Sequence, residues 1–297
     1  MKLAMHNWMR PEPIEVTIER LGRLGYEAIE ISGEPARYDV GEVKDLLARH
    51  NVRCWGSVTL MTEGRDLIHE DAYVRFGTVQ YIKDVITMVE ALGGEIICIV
   101  PSTVGKTKAM ADPETEWNWA VQCLKEISYH AGEHNVRIGL EPLNRFETNF
   151  LNRADQGLYL ANEVGNGVGV TLDTFHLNIE EADMLAAIRN AGKQLIDFHV
   201  ADNNRMPPGQ GAIDFRAVVG TLREIGYDGA ITSEFVMPID RTPLVAKSGQ
   251  AGQEAEAADT TQGMEKFLRD HGTGLLAASL YDDLVRQTAE HIRPLLS

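Results

Sequence analysis

Eight short apolar segments recur along the chain, and each is followed by a longer stretch with apolar residues at helical spacing. Most of the short segments are rich in Ile and Val and almost continuously apolar, which is typical of parallel strands covered on both faces. The predicted strands are residues 2–6, 28–32, 53–58, 95–100, 137–142, 169–175, 195–201 and 229–235. Their repeat of about 30 residues is that of one strand–helix unit in a (β/α)8 barrel.

The stretches between the strands have the roughly 3.6-residue period of amphipathic helices. The predicted helices are residues 14–24, 43–50, 74–92, 117–131, 158–164, 184–189, 215–225 and 281–296. An open, doubly wound sheet is the alternative, but no GxGxxG motif follows the first strand and the strand count is eight. We therefore expect an α/β protein in which residues 1–297 form a single (β/α)8 TIM-barrel domain.

The stretch between the eighth strand and the last helix, residues 237–278, is far longer than the roughly 2–6 residues usual for a strand-to-helix loop. Two prolines, Pro238 and Pro243, stand near its start, and residues 247–261 are rich in Gly, Ala, Ser and Glu. Active sites of such barrels lie at the carboxyl ends of the strands. We therefore expect a lid over the barrel mouth or a partner-docking surface, and a surface insertion without a role is the alternative.

The charge of the chain restricts its partners. Asp and Glu number 44 against 28 Lys and Arg, a formal charge of −16. Such a surface repels phosphates, so we expect neither nucleic acid nor an anionic membrane as a partner. Residues 1–10 contain no apolar signal-peptide region, and the longest apolar run, residues 96–100, is too short for a membrane span. Together with three unevenly spaced cysteines, this predicts a cytoplasmic protein.

Four potential metal ligands stand at the ends of four successive predicted strands: Glu141, Asp173, His199 and Glu234. Their separations of 32, 26 and 35 residues are each close to one strand–helix unit, so we expect the side chains to converge above the barrel. Three carboxylates and one imidazole suit Mn²⁺, Mg²⁺ or Co²⁺, and zinc is less favoured without a thiolate. Singly, Glu141 could form a loop salt bridge, Asp173 could cap a helix, and His199 could be a core residue.

Three further polar residues follow the candidate ligands closely: Glu147, His176 and Arg205. We expect them on the same face of the barrel, where a cation and an imidazole could hold hydroxyl or carbonyl oxygens of a polar substrate. The alternative for Arg205 is that it only neutralises nearby carboxylates.

Five ordered blocks of the sequence resemble the D-tagatose 3-epimerase and D-psicose 3-epimerase group of the xylose-isomerase-like barrel family. The blocks are residues 141–148, 172–181, 199–205, 208–214 and 233–236. The resemblance implies a sugar isomerase or epimerase in which Glu141, Asp173, His199 and Glu234 hold Mn²⁺ or a similar ion. It also implies that Glu141 and Glu234 act as acid and base on opposite faces of a keto-sugar. Glu147, His176 and Arg205 would hold oxygens near the sugar carbonyl.

The implied chemistry is removal of a proton beside a ketone to give a metal-stabilised enediolate. Return of the proton from the opposite face inverts the carbon, which is epimerisation. Delivery to the neighbouring carbon would instead give aldose–ketose isomerisation.

The sequence departs from this group in three places. Residues 6–10 lack the aromatic cluster expected at the end of the first strand, and residues 101–105 lack the expected tryptophan-bearing wall. Residues 237–278 are longer than expected. These parts line or cover the far end of the substrate, so a different or larger keto-sugar, or a sugar conjugate, is expected.

A related family with such needs is the metal-bearing subunit of bacterial C-glycoside deglycosidases. In these enzymes the same deprotonation of a 3-oxo-C-glucoside is followed by expulsion of an aglycone. We therefore expect either a homo-oligomeric epimerase or, as the alternative, a deglycosidase that assembles with a small partner subunit. The negative charge disfavours an AP-endonuclease-like role. The full set of ligands and both glutamates disfavour an inactive sugar-sensing barrel.

Overall fold

The computed structural model describes residues 1–237 and 276–296. Eight parallel strands pair in chain order and close into a barrel, because β8 also pairs with β1. The strands are β1 Lys2–His6, β2 Ala28–Ser32, β3 Arg53–Val58, β4 Ile96–Ile99, β5 Arg137–Leu140, β6 Gly169–Asp173, β7 Leu195–Val200 and β8 Ala230–Ser233. All eight predicted strands are present, and the closed sheet excludes the open alternative.

Nine α-helices lie within the described residues. They are α1 Ile14–Arg23, α2 Val40–His50, α3 Ala72–Ala91, α4 Pro113–Glu133, α5 Ala154–Val164, α6 Thr174–Glu180, α7 Met184–Ala191, α8 Phe215–Glu224 and α9 Ala278–Leu296. Helix α4 begins four residues before its predicted start because Asp112 accepts a hydrogen bond from the Thr115 N–H and Pro113 takes the first helical position. The short helix α6 was not predicted, and it shortens the sixth strand from the predicted end at residue 175 to Asp173.

The barrel interior is apolar at one end and polar at the other. Near the amino-terminal ends of the strands, Trp55 packs against small and aliphatic side chains, namely Ala4, Ala28, Ile96, Ile196 and Ala230. Towards the carboxyl ends, the interior side chains become polar and remain fully buried, as for His6, Glu30 and His199. Polar groups in such a place need partners, so this end of the barrel is where ligand-binding chemistry is expected.

The last helix closes the outer layer against the first. Arg20 of α1 is only 4% exposed and pairs with Glu12 and with Asp282 of α9. Tyr281 and Val285 of the same helix are buried in the core. The terminal helix therefore completes the ring of helices beside β1.

The predictions for the long segment after β8 and for membrane spans can now be compared with the described residues. The lid or docking role proposed for residues 237–278 falls almost wholly outside the described residues and stays a prediction. Within residues 1–237 and 276–296, no helix combines the length and apolar character that a membrane span requires.

Candidate active site

The structure brings the four candidate metal ligands together at the carboxyl end of the barrel. Glu141 directly follows β5, Asp173 ends β6, His199 lies in β7, and Glu234 directly follows β8. All four are buried, and one nitrogen or oxygen atom from each lies within 4.8 Å of the others. They meet because parallel barrel strands all end on one face, so consecutive strand ends are neighbours in space.

Among the described residues, the atoms that face one another in this group have no hydrogen-bond partner. These are Glu141 Oε1, His199 Nδ1 and Glu234 Oε2. His199 Nδ1 is 2.9 Å from Glu234 Oε2 and 3.4 Å from Glu141 Oε1. Buried polar atoms without a partner are rare, and a shared cation would satisfy all three. With the carboxylate of Asp173, the donor set fits a hard or borderline divalent ion.

The electrostatics of the group favour added positive charge. Burial raises the pKa of Asp173 to about 7, and the Glu234 and Glu141 carboxylates contribute to the rise. Burial alone would lower the pKa of His199, but Glu30, Glu234 and other carboxylates raise it well above its ordinary value. Several carboxylates thus surround one point, and a dication bound there would neutralise their negative charge.

The three flanking residues form one hydrogen-bonded network through Asn144. Asn144 Nδ2 lies 2.9 Å from both Glu147 Oε1 and His176 Nδ1, and Arg205 Nη1 lies 2.7 Å from Glu147 Oε1. The Asn144 backbone N–H also donates to His176 Nδ1 at 3.2 Å. A neutral His176 would therefore carry its proton on Nε2. Arg205 does neutralise a carboxylate, as the alternative held, and it also lines the pocket above the candidate ligands.

Arg205 stands in a strained backbone conformation. Its φ is +61°, in the left-handed region that non-glycine residues seldom adopt. Its N–H donates to the Asp202 carbonyl at 2.8 Å, and its own carbonyl accepts from the Val236 N–H at 2.9 Å. These bonds fix the backbone of Arg205 between the loops that follow β7 and β8, and backbone strain of this kind is common at functional sites.

The pocket above the candidate ligands has two unlike walls. Glu147, His176 and Arg205 form a polar wall. The facing wall follows the ends of β3, β4 and β5 and is mostly aliphatic: Val58, Leu60, Met61, Val100, Val104 and Leu143. Thr59 also lines this side, and its hydroxyl accepts from the Val100 N–H at 3.1 Å. A substrate here would meet hydrogen-bonding groups at one side and apolar surface at the other.

Several residues that shape the site were not predicted from the sequence. Trp8 lines the pocket and donates its indole N–H to Glu234 Oε1 at 3.1 Å. Asp202 is fully buried and accepts from the backbone N–H groups of Gly209 and Ile213, which folds the loop after β7 around it. The sequence offered a signal for two of the site residues, because Trp8 lies just beyond the end of the first predicted strand and Asn144 lies inside the block of residues 141–148.

Another group that was not predicted lies deeper in the barrel. His6 and Glu30 are fully buried beneath Glu234 and His199, and their side-chain polar atoms make no hydrogen bond within residues 1–237 and 276–296. Burial raises the pKa of Glu30 to about 8, and the Asp197 carboxylate adds to the rise. The alternation of side chains along a strand could have placed His6 and Glu30 inside the barrel, but it could not have predicted which side chains they contact.

Comparison with known proteins gives consistent results. Residues 18–271 match the family described as the xylose isomerase-like TIM barrel. The chain is 32% identical to the L-ribulose 3-epimerase of Methylomonas sp. strain DH-1 over 215 residues, which cover 71% of this chain and 74% of that protein. It is 27% identical to the 3-dehydro-D-guloside 4-epimerase of Escherichia coli K12 over 246 residues, covering 79% and 92%.

The fold similarity extends over the whole chain. The crystal structure of D-psicose 3-epimerase with D-tagatose from Clostridium cellulolyticum H10 superposes with a TM-score of 0.81 at 24% identity, and the match covers 100% of both chains. The resemblance found in the sequence blocks is confirmed, and the protein is an enzyme of the sugar isomerase and epimerase class. Since the family match spans most of the chain, the protein belongs to the xylose isomerase-like TIM barrel family.

Proposed function

We propose that the protein is a divalent-metal-dependent keto-sugar epimerase with Glu141 and Glu234 as its acid/base pair. The observation that carries this proposal is the meeting of Glu141, Asp173, His199 and Glu234 within 4.8 Å at the floor of a pocket. The unpartnered atoms that face one another there support a shared cation. The sugar epimerases among the relatives support the reaction class.

These four residues would hold the ion, and we favour Mn²⁺, with Co²⁺ or Mg²⁺ as substitutes. When bound, the ion would stabilise negative charge that develops on the carbonyl and hydroxyl oxygens of the sugar. The absence of a thiolate among the four favours these ions over zinc.

The two glutamates approach the pocket from different sides of the barrel. Glu141 follows β5 and Glu234 follows β8, with β6 and β7 between them. One carboxylate would remove the proton from the carbon beside the ketone, the electron pair of that C–H bond would form a carbon–carbon double bond, and the π pair of the carbonyl would move to its oxygen. The other glutamate, which would start the cycle protonated, would give its proton to the opposite face as the carbonyl re-forms, and the carbon would be inverted.

The network of Asn144, Glu147, His176 and Arg205 would bind the sugar oxygens. Burial alone would raise the pKa of Glu147, but the guanidinium of Arg205 and the imidazole of His176 hold it below its usual value. Glu147 therefore stays an acceptor for sugar hydroxyls, while Arg205 and His176 offer donors. Fixed groups of both kinds orient a polyhydroxylated substrate without reorganisation during the reaction.

The acid/base assignment is tested with Glu141→Gln and Glu234→Gln, which keep an oxygen ligand and remove the base. Each should lower the turnover of D-psicose, D-fructose or L-ribulose by roughly 10²–10⁴, with metal content unchanged. In D₂O the wild type should place deuterium on the inverted carbon of recovered sugar. Glu126→Gln, at an exposed glutamate on α4, is the matched control. Near-wild-type turnover of Glu234→Gln with metal bound would show that the assignment to that residue is wrong.

Metal dependence is tested separately. EDTA should abolish turnover, and Mn²⁺ or Co²⁺ should restore it, whereas His199→Ala should lose most of the metal. A metal-free protein with full activity would overturn this part of the proposal.

The aliphatic wall favours a second candidate substrate, a glycoside that carries a ketone on its sugar ring. Free ketoses bear hydroxyl groups on most carbons, and Leu60, Met61 and Val104 offer no side-chain hydrogen bonds to them. An apolar substituent would fit this wall, and the 3-dehydro-D-guloside 4-epimerase of E. coli acts on an oxidised glycoside by its name. Comparing kcat/KM for a ketohexose and a 3-oxo-glucoside would decide between them. Release of an aglycone would identify the deglycosidase alternative, which the epimerase relatives do not favour.

Assembly and the long segment after β8 stay predictions. We retain a homo-oligomer as the expected state and a lid or docking role for residues 237–278. Replacing residues 247–261 with a short Gly-Ser linker should alter KM, turnover or assembly, and an unchanged enzyme would refute both roles.

A further inference from the structure

Asp197 is a fully buried carboxylate that lies two residues before His199 on β7. Side chains two apart on a strand point to the same face, so both enter the barrel interior. Asp197 is outside the group proposed to hold the metal, and the proposed proton transfers do not use it. A charged group buried in the barrel interior needs hydrogen-bond or ionic partners.

Both carboxylate oxygens of Asp197 accept from a ring N–H. Asp197 Oδ2 lies 2.9 Å from His199 Nε2, and Trp55 donates its indole N–H to Asp197 Oδ1 at 2.9 Å. Glu30 Oε2 also approaches His199 Nε2, but at the longer distance of 3.4 Å. Since a carboxylate only accepts, Nε2 of the imidazole carries a proton.

The opposite ring nitrogen of His199 points to the proposed metal site. Nδ1 lies 2.9 Å from Glu234 Oε2 and 3.4 Å from Glu141 Oε1, and it has no hydrogen bond in the part of the chain that the structure describes. A cation bound at Nδ1 takes the place of any proton there, while the bond to Asp197 keeps the remaining proton on Nε2. Carboxylates commonly orient metal-binding histidines in this way.

Trp55 holds Asp197 from the other side of the barrel. It lies on β3, which is not a neighbour of β7 in the sheet. The indole is buried among small interior side chains, including Ala4, Ala28 and Ala230, and the Lys2 ammonium lies 4.6 Å from its ring centroid. The small alanine side chains leave room for the indole inside the barrel, and its packing against them fixes the direction of its N–H.

We propose that Trp55 and Asp197 are positioning residues that fix the tautomer and orientation of His199 for metal binding. This inference rests on the proposed metal site and adds two residues to it. Trp55 contributes by donating to one carboxylate oxygen, which leaves the other oxygen for His199.

The arrangement predicts an unusual response to Asp197→Asn. An amide has one acceptor oxygen and one donor NH₂, whereas the indole N–H can only donate. The amide oxygen must therefore face Trp55, and its NH₂ must face His199 Nε2. The imidazole proton then moves to Nδ1 and blocks the ligand atom. In the double variant Trp55→Phe with Asp197→Asn, the amide can turn, and its oxygen can accept from Nε2 again.

The test is titration of metal-stripped protein with Co²⁺, followed by visible absorption. Asp197→Asn should weaken Co²⁺ binding by about 10–100-fold, the usual effect of losing an outer partner of a metal-binding histidine. The double variant should bind Co²⁺ more tightly than Asp197→Asn alone. Trp117→Phe, which removes an indole N–H at the surface between α4 and α5, should bind like the wild type.

The outcomes separate this inference from the proposed function. If the wild type binds no Co²⁺, the proposed metal site is wrong. If the wild type binds Co²⁺ and Asp197→Asn binds it equally well, or if the double variant is weaker still, the positioning role is wrong. Should Asp197→Asn fail to fold, ¹⁵N NMR of the wild type loaded with diamagnetic Zn²⁺ replaces it. Protonated Nε2 of His199 supports the role, and unprotonated Nε2 overturns it.

Discussion

The hydrogen bond from Trp8 to Glu234 makes Trp8→Phe a sharp probe of the proposed base. Trp8 Nε1 donates to Glu234 Oε1 at 3.1 Å, and the two residues are 5% and 6% exposed. Phenylalanine keeps most of the ring that packs at the barrel mouth and removes the donor. Glu234 Oε2, which faces His199, is not touched by the change.

The expected magnitude follows from the type of bond. A hydrogen bond to a charged group contributes about 1.5–3 kcal/mol. If Trp8 aligns the carboxylate for proton transfer, its loss should lower kcat by roughly 10- to 150-fold, since each 1.4 kcal/mol corresponds to about tenfold. KM and metal content should change little, because the substrate-binding network and Oε2 remain.

The assay is steady-state turnover of a ketose with metal content measured on the same sample. Trp117→Phe is the matched control, since its indole N–H also donates to a glutamate, Glu163, but far from the pocket. Wild-type kcat for Trp8→Phe with metal bound would refute the alignment role. Loss of metal in parallel with kcat would show instead that Trp8 supports the ligand group.

Three further predictions concern stability. Arg20→Met should lower the free energy of unfolding by about 3 kcal/mol because Glu12, which pairs with Arg20, is nearly buried. This is near the low end for a buried ion pair because the other partner, Asp282, is one-third exposed; unchanged urea unfolding would contradict this. Gly56→Ala should strongly destabilise the protein because its methyl group would overlap a backbone carbonyl of β4. Gly220→Ala, on α8 where the new methyl group meets open space, should raise the free energy of unfolding by up to about 1 kcal/mol; equal melting temperatures for the two variants would refute the packing argument. Mn²⁺ at about 100 times its Kd should stabilise the wild type by about 2.7 kcal/mol, and an unchanged Tm would contradict metal binding.

The positions of the candidate ligands followed from the sequence because local patterns carry the needed information. Apolar runs mark the strands, and parallel strands in a barrel end on one face. Glu141 and Glu234 could thus be placed near each other without any knowledge of their contacts. The short helix α6 escaped prediction because seven residues directly after a strand show too little periodicity, although Asp173 caps it as one interpretation allowed.

The partners of the site residues were decided only by the tertiary structure. Trp8 and Glu234 are 226 residues apart, and Trp55 and Asp197 are 142 apart. No local pattern joins such pairs, because their distance depends on how the strands stagger and close around the barrel axis. The sequence by itself therefore determined the strand count and the face of the barrel on which the candidate ligands meet. Closure of the barrel decided which indole meets which carboxylate, since that contact exists only when all eight strands are in register.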